Sequence, residues 1–307
     1  MTEVFFIVIG FFLLGISCGS FCGVLLEEGI RDRSFWTGRS QCPSCRKNLH
    51  WYELIPLVSY VIQLGRCRGC QKSIPTWVFH IEWVMGLVWM IFGTLLILEG
   101  YSLAFVTLHL LLLSFVVILA LADLRSFTIP DDLSLPMIAT TLVMVLLLEH
   151  YSIETWLIPT ARFALIGGIV GMLFYSLQIM IPGILYAWRE KNYRIMAEVL
   201  TLPFFFPFWM IVKMFLGEKR ADKWIPSISA IDSVPTWVGG GDIRLGLLIG
   251  MIAGPIYFWW VVGIGYCFGV LFWGISRVFR ARHLDILPVA PLLLIGLCST
   301  WLILLLR

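Results

Sequence analysis

Charged side chains are scarce in this sequence. Of 307 residues, 13% are charged and 60% are hydrophobic, whereas about a quarter of the residues in soluble domains are charged. The mean hydropathy is +0.92, and several stretches approach the roughly 20 apolar residues that a helix needs to cross a bilayer. This composition excludes an ordinary soluble domain. It predicts an all-α polytopic membrane protein that is surrounded by the lipid bilayer and has no nucleic-acid partner.

The sequence also lacks a basic segment in front of its first apolar run. Acidic Glu3 precedes residues 4–26, while a cleavable secretory signal opens with positive charge. We therefore expect residues 1–26 to be the first transmembrane helix.

Basic residues are concentrated in the first polar segment, residues 27–76. By the positive-inside rule this segment is cytoplasmic, which places the N-terminus outside. The later apolar runs fall in residues 77–186 and 237–307. In all, the runs predict about eight transmembrane helices with both termini outside. Residues 187–236 hold charged clusters around an apolar piece that contains two prolines, and we predict an insertion in the cytoplasm or at the membrane interface.

The cysteines do not look like a disulfide framework, because four of the eight form two tight pairs in the cytoplasmic segment. These are Cys42, Cys45, Cys67 and Cys70. Two Cys-x-x-Cys pairs make a tetrahedral zinc site, and a reducing compartment keeps the thiols free for metal. All four ligand positions are filled by protein, so we predict a structural Zn²⁺ that supplies folding energy to a small loop domain.

Two aspartates lie at the ends of apolar runs. Asp123 ends the run that finishes Ala120-Leu121-Ala122, and Asp242 stands between three glycines and the next run. Ionisable residues at membrane boundaries are rare and usually functional. The helix assignment puts both on the cytoplasmic side. Two adjacent carboxylates can share one proton, so that one acts as base on a water. The alternative is two helix-terminal acids that only face cytoplasmic water.

Several neighbouring residues are candidates for shaping such a site. Pro130 must break the helix after the first aspartate, and Asp131 either caps the next helix or belongs to the site. Gly239 and Gly241 allow close approach of backbone to an extended substrate. Glu82 is near the start of a helix, where an acid is favourable against the helix dipole, so capping is its alternative role.

With these residues in hand, the chain resembles the type IV prepilin peptidases, a family of membrane aspartyl proteases. Four stretches carry the resemblance: the loop from Cys42 to Cys70 with Trp51-Tyr-Glu-Leu-Ile-Pro-Leu-Val-Ser-Tyr60, Asp123 with Ile129-Pro130-Asp131, Gly239-Gly-Gly241-Asp242, and Gly19-Ser20-Phe21. The chain departs from the family pattern in several places: Glu27-Glu28 follows Gly-Ser-Phe where an arginine-containing stretch is normal, and residues 187–236 are long compared with the usual short connection. Two single positions also differ. Arg244 stands where lysine is common, and Gly23 stands where asparagine is usual.

The resemblance implies a function and a location. The family cuts the short basic leader of prepilin or pseudopilin precursors at the cytoplasmic face of the bacterial inner membrane. Many members then methylate the new N-terminus, with S-adenosylmethionine as donor. By the same resemblance Asp123 and Asp242 are catalytic, and the residues that shape the site are Gly19, Ser20, Phe21, Glu82, Pro130, Asp131, Gly239, Gly241 and Arg244.

Other functions stay open. A member that cuts without methylating has the same motifs. A presenilin-type intramembrane protease shares Gly-x-Gly-Asp, but it does not account for the Cys₄ loop. A transporter would carry acids near the bilayer midplane and often internal repeats. An inactive assembly scaffold is the remaining alternative, although both aspartates are present.

Overall fold

The computed structural model describes residues 2–28, 39–42, 44–150, 159–193, 195–197, 199–201, 239–278 and 288–306. Most of the predicted insertion at 187–236 lies outside these ranges. The helices are α1 Thr2–Glu28, α2 Val58–Ile62, α3 Thr76–Leu98, α4 Leu103–Ser126, α5 Asp131–His150, α6 Ala161–Arg189, α7 Gly240–Val278 and α8 Val289–Leu305. The predicted all-α membrane architecture is confirmed.

The number of membrane-capable helices differs slightly from the prediction. Six helices in the described ranges are long and apolar enough to cross a bilayer, whereas we expected about eight. One reason is that α7 contains two of the predicted spans in one element. The other is that α8 has only 17 residues, or about 26 Å at 1.5 Å per residue, which is shorter than the roughly 30 Å apolar core.

The chain divides into two compact units, Met1–Leu121 and Ala122–Arg307. In the first unit α1 packs along α3 through small residues. A Cβ added to Gly15 would lie 2.7 Å from the Trp89 Cβ, and one added to Gly93 would lie 2.6 Å from the Phe11 ring. Close backbone approach of this kind is how membrane helices associate, because apolar side chains gain little by leaving lipid.

A buried polar contact fixes the third helix of the first unit. The Ser114 hydroxyl of α4 accepts a hydrogen bond of 2.8 Å from the Trp89 indole N–H of α3 and lies 3.9 Å from the Cys18 thiol of α1. It also donates to the Leu110 carbonyl one turn earlier. Ser114 therefore joins all three membrane helices of this unit.

In the second unit, α7 reverses direction in its middle. Gly254 has φ 73° and ψ 172°, a left-handed conformation that favours glycine, and Pro255 follows it. Residues 240–253 form a first arm and residues 255–278 a second arm. Both arms pass Gly171 of α6, where an added Cβ would lie 2.7 Å from the Gly246 carbonyl carbon and 3.1 Å from the Phe258 ring. The arms are therefore antiparallel.

Glycines also bring α8 against the second arm. An added Cβ at Gly265 would lie 3.0 Å from the Leu292 carbonyl carbon, and one at Gly296 would lie 3.2 Å from the Gly265 nitrogen. This packing sets the start of α8, and the start of α8 is what reaches the first aspartate.

Candidate active site and metal centre

Asp123 lies in the last turn of α4 and is buried, with 6% of its surface exposed. Its Oδ2 accepts a hydrogen bond of 2.9 Å from the backbone N–H of Ala290, and the N–H of Val289 also points at the carboxylate. These are the first two residues of α8, whose free N–H groups form a natural site for an anion. The carboxylate is thus oriented by the N-terminus of another helix.

Asp242 is the third residue of α7 and is partly exposed. Its Oδ2 accepts a hydrogen bond of 2.8 Å from the N–H of Gly239, which precedes the helix, while its own N–H donates to the Gly239 carbonyl. This is half of a capping box. The side chain therefore has a local structural role as well as a position open to solvent.

The two aspartates belong to the same unit and are close enough to interact electrostatically. Asp242 also interacts with the phenol of Tyr175, which is fully buried on α6 beside Tyr266. Sequence reasoning expected Asp123 and Asp242 to come together, and within this unit the charge of Asp123 acts on Asp242. Sequence reasoning did not single out Tyr175. The available signal was a polar hydroxyl group inside an apolar run.

A buried arginine links the second aspartate's helix to the loop after α4. The Arg244 guanidinium forms an ion pair with Asp131, the first residue of α5. It also donates a hydrogen bond of 3.0 Å to the carbonyl of Ile129. The Pro130 carbonyl in turn accepts a hydrogen bond of 3.0 Å from the Ser134 N–H, which lies in the first turn of α5. These contacts hold the loop in place. All three residues, Arg244, Pro130 and Asp131, are buried or only partly exposed.

The two motif glycines are not equivalent. A Cβ added at Gly241 would lie 2.9 Å from the Ile129 Cβ, closer than real Cβ atoms come to one another. The nearest atom to a Cβ added at Gly239 is 3.9 Å away. Gly241 is thus required by the contact between the α7 N-terminus and the loop, whereas Gly239 has space around it.

The other predicted site residues, Gly19, Ser20, Phe21 and Glu82, all lie in the first unit. The buried carboxylate of Glu82 accepts a hydrogen bond of 2.7 Å from the Leu57 N–H and one from the Ser20 side chain. An added Cβ at Gly19 would lie 2.7 Å from the Glu82 Cα. Phe21 is 54% exposed. Glu82 does not cap its own helix; it fixes the chain just before α2.

The four cysteines form one cluster, with all four sulfur atoms within 4.8 Å of one another. Two distances across the cluster are 3.9 Å, between Cys42 and Cys70, and 4.0 Å, between Cys45 and Cys67. A tetrahedral Zn²⁺ with Zn–S bonds of about 2.3 Å puts its sulfurs about 3.8 Å apart. The donor set therefore fits zinc in chemistry and in size.

The two halves of the cluster repeat the same local structure. Each Cys-x-x-Cys turn is closed by an isolated bridge, Gln41 to Asn48 in the first and Arg66 to Ser73 in the second. Such turns direct backbone N–H groups at the sulfurs. Those of Cys70 and Gly69 lower the pKa of the Cys67 thiol to about 7. At Cys67 the second turn thus favours the thiolate, which is the form that binds metal.

A cavity of about 220 Å³ lies between this loop and helices α1 and α3. Its lining includes Cys42, Cys67, Ser20 and Glu82. Pockets for drug-sized ligands are usually about 300–1,000 Å³. At about 220 Å³ the cavity is smaller than this range.

Taken together, these features define a multi-pass helical membrane protein with a Cys₄ zinc-binding loop and a pair of interacting carboxylates at helix ends. The model of the bacterial peptidase A24 N-terminal domain matches residues 13–95. No solved structure matches the chain.

Curated relatives named prepilin leader peptidase/N-methyltransferase are similar over larger parts of the chain. One from Klebsiella pneumoniae is 31% identical over 171 residues, 53% of this chain and 68% of the relative. One from Myxococcus xanthus is 32% identical over 166 residues, 54% of this chain but 46% of the relative. One from Vibrio cholerae is 22% identical over 294 residues, 93% of this chain and 92% of the relative. The chain belongs to the prepilin leader peptidase/N-methyltransferase family.

Proposed function

We propose that this protein is an aspartyl endopeptidase of the Gly-x-Gly-Asp type that cleaves the basic leader of prepilin or pseudopilin precursors. The observation that carries the proposal is the interaction of Asp123 and Asp242 across two helices of one unit. Their surroundings support it, because each carboxylate is oriented by backbone N–H groups and one of the two is partly open to solvent. The names of the relatives supply the substrate class.

In this mechanism the pair shares one proton. One carboxylate removes a proton from a water as it attacks the scissile carbonyl carbon, and the protonated partner donates a hydrogen bond to the carbonyl oxygen. The proton then passes to the leaving amine as the C–N bond breaks. The pair titrates as a unit, so neither residue is given a fixed role.

The substrate geometry follows from the membrane. A precursor held by its own apolar helix presents its leader junction at the membrane boundary, where both aspartates end or begin helices. We place this boundary on the cytoplasmic face of the bacterial inner membrane, with both termini outside, because the basic residues of 27–76 favour that orientation. Gly19, Ser20, Phe21 and Glu82 remain proposed substrate-shaping residues.

We assign the zinc a structural role, since the four cysteines fill its coordination sphere and leave no position for a reactive water. Methyl transfer to the new N-terminus is proposed as a second activity on the strength of the relatives' names. Its donor would be S-adenosylmethionine.

The test is mass spectrometry of a precursor peptide, with a basic leader, a Gly-Phe junction and an apolar helix, after incubation with the purified protein and S-adenosylmethionine. Cleavage by the parent chain but not by Asp123→Asn or Asp242→Asn supports the proposal. Cleavage without an added methyl group makes the chain a dedicated protease. No cleavage by folded protein, when a family peptidase cuts the same peptide, overturns it in favour of a scaffold or transporter.

A further inference from the structure

The loop domain of the first unit carries a cluster of exposed apolar side chains around α2. We call these residues the α2 patch: Leu54, Ile55, Val58, Val61, Ile62 and Leu64, whose exposed fractions run from 38% to 85%. Scattered apolar residues on a surface are ordinary, but six within eleven consecutive positions of a polar loop mark an interaction surface. Trp51 and Tyr52 extend the patch at one end, with 76% and 39% of their surfaces exposed.

The position of α2 along the axis of α3 indicates which environment the α2 patch faces. The Leu57 N–H, at the start of α2, donates to the carboxylate of Glu82. Glu82 lies six residues after Thr76, which is about 9 Å along the axis of α3 at 1.5 Å per residue. The Tyr60 ring likewise lies 5.1 Å from the ring of Phe79. Because α3 is a candidate membrane span from Thr76 onward, α2 is level with its first two turns.

The backbone of this segment is prepared for an apolar environment. N–H groups without partners are costly in lipid, and here Ser59 donates to the Ile55 carbonyl at 2.9 Å and Val61 to the Leu57 carbonyl at 3.1 Å. The Leu57 N–H is taken up by Glu82. These three N–H groups are thus paired within the first unit, while the side chains of the α2 patch are exposed.

Charge in the surrounding loop selects an anionic surface. Residues 39–75 contain six basic side chains and a single acidic one, Glu53, which is buried. Clusters of basic residues next to a membrane helix bind anionic lipid headgroups. Trp and Tyr also favour the membrane interface, because each has an apolar ring and a polar group. The guanidinium of Arg68 lies over the Tyr52 ring, 5.2 Å from its centre.

We propose that the α2 patch is an interfacial membrane anchor: it inserts into the headgroup and acyl boundary of an anionic bilayer and holds the Cys₄ loop domain against the membrane. The apolar side chains contact acyl chains, and the basic residues of the loop contact lipid phosphates. This role does not depend on the peptidase activity. On α3 itself, Trp83 and Ile91 are each 44% exposed.

The test places a photo-crosslinking amino acid, benzoylphenylalanine, at Ile62 of the full-length chain in phosphatidylethanolamine–phosphatidylglycerol nanodiscs. The matched control carries it at Gln71, an exposed residue of the second cysteine turn. That turn is closed by the Arg66–Ser73 bridge, and Gln71 is not part of the α2 patch. Adducts are identified by mass spectrometry after irradiation. Each labelled chain must unfold at the temperature of the parent, and the label moves to Val61 if Ile62 fails this condition.

Phospholipid adducts at Ile62 several-fold above those at Gln71 are expected. Equal lipid yields at the two positions would overturn the anchor, because the patch would then face water. Adducts to peptides of a second copy would overturn it in favour of an interface between chains.

Discussion

The carboxylate of Asp123 accepts a hydrogen bond of 2.9 Å from the backbone N–H of Ala290, 167 residues later in the chain. The contact joins the C-terminal end of α4 to the N-terminal end of α8. It places an acceptor where unpaired N–H groups need one, and it fixes the direction of a carboxylate that we propose is catalytic. One side chain therefore has a structural and a chemical role, and substitutions can separate the two.

Asparagine and alanine at position 123 are expected to behave differently. Asp123→Asn keeps an oxygen that accepts from Ala290, so the unfolding temperature should stay near that of the parent. Asp123→Ala leaves the N–H groups of α8 without this acceptor and should lower the free energy of unfolding by about 1–3 kcal/mol. Both should lower the cleavage rate by about 10²–10⁴-fold or more. Thermal unfolding in detergent and a peptide-cleavage assay measure the two effects. An active Asp123→Asn protein would remove Asp123 from the mechanism.

The glycines of the motif provide a matched pair. Gly241→Ala should displace the loop at Ile129, because the new Cβ would come within 2.9 Å of the Ile129 Cβ. Overpacking of this kind costs about 1–3 kcal/mol. Gly239→Ala meets no atom closer than 3.9 Å and should leave stability unchanged. Unfolding temperatures of the two variants, measured side by side, test this. Equal losses would mean that backbone freedom, and not space, explains both glycines.

A double-mutant cycle should detect the ion pair between Arg244 and Asp131. Arg244→Gln removes the cation that pairs with Asp131, and we expect a loss of about 3 kcal/mol. The double variant with Asp131→Asn should lose less than the sum of the single variants, with a coupling of about 0.5–3 kcal/mol. Unfolding free energies of the four proteins give the coupling. Strict additivity would show that the pair contributes nothing to stability.

Arg244→Lys addresses the departure from the family pattern. Lysine keeps the positive charge but has no fork to reach both Asp131 and the Ile129 carbonyl. We therefore expect a stability between those of the parent and Arg244→Gln. A stability equal to the parent's would indicate that charge alone is needed here.

Metal content should depend on the cluster cysteines only. Cys42→Ser should lose most of the bound zinc and destabilise the loop domain, because structural zinc sites contribute folding energy directly. Cys267→Ser, at an exposed cysteine outside the cluster, is the matched control and should keep its zinc. Elemental analysis of the purified chains gives zinc per protein, and cobalt substitution reports tetrahedral thiolate ligation by its absorption. Zinc retained in Cys42→Ser would contradict the four-cysteine site.

In the first unit, Gly19 and Gly23 make another comparison. Gly19→Ala would bring a Cβ within 2.7 Å of the Glu82 Cα, whereas Gly23→Ala would meet nothing closer than 3.8 Å. We expect the first variant to separate α1 from α3 and lower the unfolding temperature. The second should be neutral or slightly stabilising, since alanine favours helix more than glycine does. A loss of stability in Gly23→Ala as large as in Gly19→Ala would contradict this packing.

Several features were predictable because they depend on local chemistry. Low charge and long apolar runs predict membrane helices. Paired cysteines at this spacing predict a metal site or disulfide bonds. The number of spanning helices was less certain from the sequence, because a short apolar run does not reveal whether it crosses the bilayer alone or as half of a hairpin.

The sequence by itself determined the class of protein, the cysteine cluster and the two aspartates as candidates, since these are properties of side chains and their spacing. Only the tertiary structure decided that Asp123 accepts from the N-terminus of α8 and that Arg244 pairs with Asp131. It also decided that Glu82 accepts from Leu57 and so positions α2 beside α3. The physical reason is that every residue except proline has the same backbone N–H donor. A sequence shows that they exist, and folding alone decides which side chain they meet.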